Sequence, residues 1–475
     1  MTIDILCSVV DNLGDIGFVY RLSRALCRAR SGTPGGAGDP LRLRLIVDDL
    51  AAFSALYPAV RAGFGFQTVP APDSGSPDWL VASWNDPGPE ALAEFSARRP
   101  RYILECYACG RPEWFEEILF DADDDGIRVL LNLEYLTAES WARDFHLLPS
   151  LTRSPQVRKY VFMPGFISGT GGLLPSEESA PRSEDDFHGG GSLHAGGRSH
   201  AGGSLHADGS LHADGSLQAD GSLYAGGSLH AGGSLHADGS LYADGSLHAD
   251  SSLHVGGRTH ADGSLHAGGS LHADGSLHAG GSEFRILLFS YEHDFSSLAS
   301  ALKAFHADRP VRVLLAAGRS ASPFLDAWNS SGRPFPVEEL PMLPQLEWDS
   351  VFDSADLLIV RGEESWSRAI LSGKPFVWEC YPFGGDGHHA KIKAFLDFAR
   401  PFFATADFAL WERILWDFNA AVPGEEDLIR FFRSCAVSEP DCGRSLSESF
   451  RKMAAEAGKT GNLAANLLTF FLDSG

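Results

Sequence analysis

The sequence predicts an α/β chain, with two doubly wound halves in series and a long simple repeat lodged between them. Three observations predict this. Apolar runs of strand length alternate with helix-period segments over residues 1–174 and again over 284–475. In each half, a polar loop containing glycine directly follows one of those runs. Between the halves, one hexad recurs without a slip in register.

The first half opens with an apolar run, Ile3 to Val10, that reads as a buried strand. The loop Asp11-Asn12-Leu13-Gly14-Asp15-Ile16-Gly17 follows, then a helical pattern from Phe18 to Arg30. Residues 31–40 are rich in glycine and proline and read as a turn. Leu41 to Val47 is a second strand, and Asp48 to Tyr57 starts as a helix with an aspartate cap. Arg101–Tyr107 and Ile127–Leu133 read as strands separated by the helix Pro112–Phe120.

The second half keeps the rhythm. Phe284–Tyr291 is a strand, Ser296–Phe305 a helix and Val311–Gly318 a strand. Leu346–Ala355 precedes the strand Asp356–Val360, and Arg361–Ser365 leads into a short helix that Gly373 can end. Lys374–Tyr381 is the next strand and His389–Ala399 the next helix, with a helical, amphipathic tail beyond Thr405. Strand–helix alternation gives parallel sheets, and ligands of such sheets sit beyond the carboxyl ends of the strands. Two halves therefore predict a cleft between them.

The bulk composition narrows the class. There are 475 residues, 44% of them hydrophobic, enough for two cores. A formal charge of −24 repels nucleic acid and anionic lipid, and it suits a basic protein partner or plain solubility. Seven cysteines at no framework spacing fit a reducing compartment. The N-terminus lacks a basic n-region, and no apolar run is long enough to span a bilayer. The expected setting is therefore soluble and cytoplasmic.

From Gly191 to Gly280 the hexad Gly-Ser-Leu-His-Ala-Asp/Gly fills 90 residues, 15 units, and holds 12 of the 18 histidines. Each unit offers one Leu and one Ala against several Gly and Ser, too little apolar area to offset the entropy of ordering. The expected insert, residues 175–283, is thus a flexible low-complexity linker. Two other readings stand beside it. An extended chain would place the histidines on one face as a weak metal-binding array, and a hexad period can also wind a β-helix.

Two loops are candidates for chemistry because each follows a strand. In the first, Asp11 and Asp15 stand four apart at a helix entry, suited either to acid–base work on a cationic partner or to capping the helix. The spacing is not a dinucleotide fingerprint. In the second, Arg361 and Ser365 flank a helix N-terminus able to receive a diphosphate. Glu363 and Glu364 either hold sugar hydroxyls or simply favour the helix dipole. Phe289 and Tyr291 share a strand face, for core packing or for a base or sugar. Cys106 and Cys109 form a C-x-x-C with no second ligand pair, so a structural role is expected. His388 and His389 open a helix, to reach a phosphate or to cap.

The residues outside the insert resemble one family in order. The motifs are Leu6–Gly17, Val47–Phe53, Leu131–Trp141, Leu148–Leu151 and Lys159–Leu174. In the second half they are Phe289–Glu292, Leu340–Gln345, Val360–Trp366, Gly373–Pro382 and His388-x-x-Lys391-Ile392-x-Ala394-Phe395-Leu396. Together they resemble the EarP family of protein-arginine rhamnosyltransferases, which modify translation elongation factor P. The resemblance implies a GT-B fold. It makes residues 1–174 a Rossmann-like acceptor-binding domain and residues 284–475 a Rossmann-like nucleotide-sugar-binding domain with a helical tail. It implies an inverting, metal-independent transfer of L-rhamnose from dTDP-β-L-rhamnose, a co-substrate rather than a cofactor, onto an arginine of elongation factor P. By position, Asp11, Asp15 and Glu363 match catalytic residues, and Phe289, Tyr291, Gln345, Arg361, Glu364 and Ser365 match donor contacts. Two positions depart from the family. Glu364 stands where it has aspartate, and Met342 where an aromatic helps hold the thymine. These departures keep open a GT-B enzyme with another donor or acceptor, and the repeat keeps open a His-rich metal-binding scaffold.

Overall fold

The computed structural model describes residues 1–10, 13–31, 40–73, 75–175, 283–381, 387–420, 422–436 and 446–474, with short stretches of the repeat between 187 and 278. The chain divides into two compact units. One is Met1–Ser176 with Phe284–Gly475, so both α/β halves belong to it; the other is Glu177–Glu283.

The first half carries β1 (Thr2–Cys7), β2 (Arg42–Val47), β3 (Phe66–Val69), β4 (Trp79–Ser83), β5 (Tyr102–Cys106), β6 (Arg128–Leu133), β7 (Pro149–Ser150) and β8 (Val157–Phe162). Their order is β3-β4-β2-β1-β5-β6-β8-β7, parallel except for the two edge pairs, β3 with β4 and β7 with β8. On β1, Ile3, Ile5 and Cys7 enter one apolar cluster and Leu6 enters another. Burial on both faces is why this strand reads as a continuous apolar run rather than an alternating one. The following helix starts at Gly14 and runs to Ser31. Asp49 caps the helix Leu50–Leu56 by accepting from the Ala51 and Ala52 amides at 3.0 and 2.9 Å, as the sequence predicts.

In the second half, β9 (Phe284–Leu288), β10 (Val311–Leu315), β11 (Val337–Glu339), β12 (Leu357–Arg361) and β13 (Phe376–Glu379) form an all-parallel sheet, ordered β11-β10-β9-β12-β13. The helix Gly362–Ser372 leaves β12 directly and ends at Gly373, in the left-handed conformation at φ 66°. The mixed α/β architecture with parallel sheets is the one expected. In each sheet the strand order reverses beside the first strand, between β1 and β5 and between β9 and β12, and ligands gather at such points.

The tail divides its allegiance. The helices Thr405–Ala420, Glu425–Ala436 and Leu446–Gly458 contribute Trp411, Phe432 and Phe450 to the second-half core. The last helix, Leu463–Ser474, instead places Leu463, Leu467 and Phe471 in the first-half core. A backbone clasp fixes the return: Leu173 N–H donates to Gly461 O at 3.1 Å and Leu463 N–H to Leu173 O at 2.8 Å. No helix among the described residues is long and apolar enough to cross a membrane.

In the repeat, where composition alone leads to the expectation of a flexible linker, the described residues lie in short strands forming three parallel sheets. Each strand pairs with one 18 residues away, as Leu211 with Leu229 and Leu229 with Leu247, so three hexads make one coil. Leu and Ala are buried in a ladder, as Leu229, Ala231, Leu235 and Ala237 illustrate. This is the β-helix arrangement that a hexad period permits.

Candidate active site

The two helices that start at the switch-point loops meet. Asp15 lies in the first turn of Gly14–Ser31 and is buried. Its Oδ2 accepts from the Val10 amide at 2.8 Å, five residues back, so it closes the loop before the helix. Asp11 lies outside the described residues. Gly17 has a packing reason: a Cβ there would come within 3.3 Å of Gln345 Oε1 from the second half. One turn further on, the Arg21 guanidinium pairs with the Glu364 carboxylate and donates to Pro175 O at 3.0 Å.

Opposite stand the residues that follow β12. Gly362 takes φ 72°, which turns the strand sharply into its helix. Arg361 is buried, with its guanidinium carbon 4.7 Å from the Phe289 ring centre and 4.6 Å from that of Tyr291. Two aromatic rings thus hold a cation at the strand end. Ser365 is buried in the first turn of the helix. Glu363 pairs with the Lys391 ammonium. Burial pushes the Glu363 carboxyl up; Lys391 and the Leu136 amide pull it down, Asp15 adds to the rise, and the net direction is up. Its Oε2 has no well-formed hydrogen bond.

These side chains line two adjoining cavities. One, of about 130 Å³, is walled by Leu13, Gly14, Gly17 and Leu56 from the first half and by Phe289, Met342, Gln345, Trp348, Arg361, Glu364 and Ser365 from the second. The other, of about 250 Å³, is walled by Val10, Asp15, Tyr107, Tyr135, Glu363 and Tyr381. Gly14, Gly362, Glu363 and Glu364 border both. Six of the seven residues expected to bind a donor therefore share one cavity. Tyr291 lies behind them, under Arg361, with its amide donating to Glu379 Oε2 at 2.7 Å. Gln345 is oriented by a bond from its Nε2 to Asp349 Oδ1 at 2.7 Å, and Asp349 is paired with Arg368 at 2.8 Å. Met342 is 54% exposed, a lip of the cavity rather than its floor.

Sequence reasoning passed over Arg21, Tyr107, Tyr135, Tyr381 and Lys391. Lys391 carried a signal, since it sits one turn into the helix Gly387–Ala399 that follows β13. Tyr107 and Tyr135 carried a subtler one, since each follows the carboxyl end of a first-half strand, β5 and β6. Arg21 carried none, because its partner lies 343 positions away. Among the described residues no cluster of His, Cys, Asp and Glu has the form of a metal site.

The family model described as elongation-factor P (EF-P) rhamnosyltransferase EarP matches residues 3–196 and 228–472. A protein-arginine rhamnosyltransferase of Pseudomonas putida is 28% identical over 409 residues, 83% of this chain and 80% of that protein. Those of Shewanella oneidensis and Neisseria meningitidis serogroup B are 26% and 25% identical, over 83% and 87% of this chain and 79% and 83% of theirs. A solved structure concerning EarP-mediated arginine glycosylation of translation elongation factor EF-P is 25% identical, with a TM-score of 0.33, over 41% of this chain and 61% of that one. With one family's model running through both halves, and relatives from three genera aligned across more than four-fifths of its length, the chain belongs to the EarP family of protein-arginine rhamnosyltransferases.

Proposed function

We propose that this enzyme is of GT-B type and moves L-rhamnose from dTDP-β-L-rhamnose to an arginine of translation elongation factor P, in the cytoplasm and with inversion at the anomeric carbon. The observation that supports it most is the pairing of cavities. Two carboxylates from different halves, Asp15 and Glu363, wall one chamber, and that chamber shares Gly14, Gly362, Glu363 and Glu364 with the chamber lined by Phe289, Arg361 and Ser365.

Guanidinium is a poor nucleophile because its lone pairs are delocalised and it stays protonated at neutral pH. In the reading offered here, Asp15 and Glu363 grip it from two sides, Asp11 helps orient it, and Asp15 accepts a proton as a guanidino nitrogen bonds to the anomeric carbon. The bond from that carbon to the diphosphate oxygen breaks from the opposite face, and dTDP leaves with the electron pair. Arg361, Ser365 and the free amides of the helix Gly362–Ser372 steady the departing diphosphate, a task that calls for no metal in this reading. Phe289 and Met342 flank the base.

Mass spectrometry of elongation factor P incubated with enzyme and donor tests this. The wild type adds one deoxyhexose to one arginine, and Asp15→Asn slows the transfer by about a hundredfold or more. Full turnover by Asp15→Asn would remove Asp15 from the base role. The Arg21–Glu364 pair favours a second reading, in which Glu364 is engaged within the protein and the donor differs. A panel of nucleotide sugars, ranked by the rise in melting temperature each produces, separates the two.

A further inference from the structure

Tyr107 and Tyr135 stack at a cavity wall on a turn of unusual backbone conformation. Tyr107 follows β5 with φ 58°, and Ala108 follows it with φ 51°. Two successive residues with side chains sit in the left-handed region, which is disfavoured for each of them. The surroundings hold them there. The Tyr107 amide donates to Leu133 O at 2.7 Å, and the Ala108 amide donates to Asn132 Oδ1 at 3.0 Å. The kink turns the Tyr107 ring flat onto Tyr135, with ring centres 4.3 Å apart and planes 9° apart, while Phe18 backs it at 5.4 Å. Both rings line the chamber that holds Asp15 and Glu363. Strain kept at a cavity wall, and braced by a neighbouring strand's asparagine, points to a ligand rather than to the fold.

We propose that this aromatic pair is the wall on which the acceptor guanidinium lies, and that it makes the site select arginine over lysine. The proposal rests on the reading of the acceptor as arginine. Carboxylates alone attract either cation. A guanidinium is planar and weakly hydrated, so it accepts carboxylates in its plane and aromatic rings above and below it. An ammonium is compact and strongly hydrated, and gives up more in leaving water for such a slot. Burial pushes the Tyr107 hydroxyl well above its ordinary range, so that ring stays neutral beside two carboxylates.

The test uses the full-length enzyme and the variants Tyr135→Leu, Tyr135→Phe and Tyr107→Phe, with steady-state transfer to elongation factor P. Tyr135→Leu should raise the acceptor KM by about tenfold, the scale of one desolvated cation–ring contact, and leave the donor KM unchanged. The two phenylalanine variants keep the ring and should stay within about twofold of wild type. Direct binding is measured in parallel by calorimetry with N-acetylarginine amide and N-acetyllysine amide. Only the arginine compound should weaken in Tyr135→Leu. An unchanged acceptor KM, an equal rise in donor KM, or equal weakening of both amides would overturn the wall. Absence of transfer by the wild type would count against the acceptor assignment instead, and the calorimetry would still judge the wall.

Discussion

Under the proposed mechanism Glu363 acts as a carboxylate where water scarcely reaches. Its carboxyl is driven up by burial and drawn down mainly by Lys391. An acid whose folded value is raised holds its proton to higher pH than usual, so a step needing its carboxylate gains rate as pH climbs through that raised value. The acid limb of kcat/KM should therefore lie above the ordinary glutamate value of 4.5. Replacing Lys391 with methionine removes the nearest opposing charge, and the limb should move further toward neutrality. A pH profile of Lys391→Met that overlays the wild type would show that Lys391 does not set this carboxyl. The stability consequence has the opposite sense. Between the unfolded and folded values the native state binds more protons, so this group's contribution to stability falls as pH rises.

At the scale of elements, glycines mark where two pieces of backbone or two halves come close. Gly17 stands inside a helix, where alanine is favoured by about 1 kcal/mol. Its added methyl would press on Gln345 Oε1 at 3.3 Å and a Leu56 methyl at 3.4 Å, both ends of side chains that can give. Gly17→Ala should therefore leave the melting temperature unchanged or higher while raising the donor KM, because Gln345 is a wall of the cavity proposed to take the donor. Gly172→Ala should do the reverse. It sits at φ 84°, and its Cβ would lie 2.4 Å from Gly461 O, backbone that cannot move without opening the clasp on the last helix. A loss of about 2 kcal/mol or more is expected in denaturant unfolding. These elements also show how far the sequence could be read. β1, β12 and both switch-point loops were legible because strand-length apolar runs and glycine-bearing loops are local signals. The short edge strand β3 and the hairpin of β7 with β8 left no clear period. The return of Leu463–Ser474 was illegible in principle, since an amphipathic face says that a helix packs, not on which core. The ion pairs at Arg21 and Lys391 depend on tertiary approach, which no spacing rule encodes.

For the molecule as a whole, the repeat is where a local argument fell short. Weighed hexad by hexad, one Leu and one Ala cannot balance the ordering of so much glycine and serine. Stacked coils change the account, because Leu211, Leu229 and Leu247 lie one coil apart in register and form a continuous buried ladder. The outward residues stack as well, with His212 on His230 at 4.6 Å and His236 on His254 at 4.7 Å. Among the described residues, the apolar clusters of the enzyme body are built from residues 3–174 and 284–471, and the repeat has a cluster of its own. Stability in repeat arrays is a sum over neighbours within the array, so the unit should unfold independently of the enzyme body. Replacing residues 177–283 with a short Gly/Ser linker should then remove any separate thermal transition. It should leave the main transition within about 1 kcal/mol of the wild type and preserve rhamnosyl transfer to elongation factor P. A variant that melts as the wild type does but transfers nothing would make the repeat part of the catalytic apparatus. A variant whose main transition collapses would show that the two units share stability that their separate cores do not reveal.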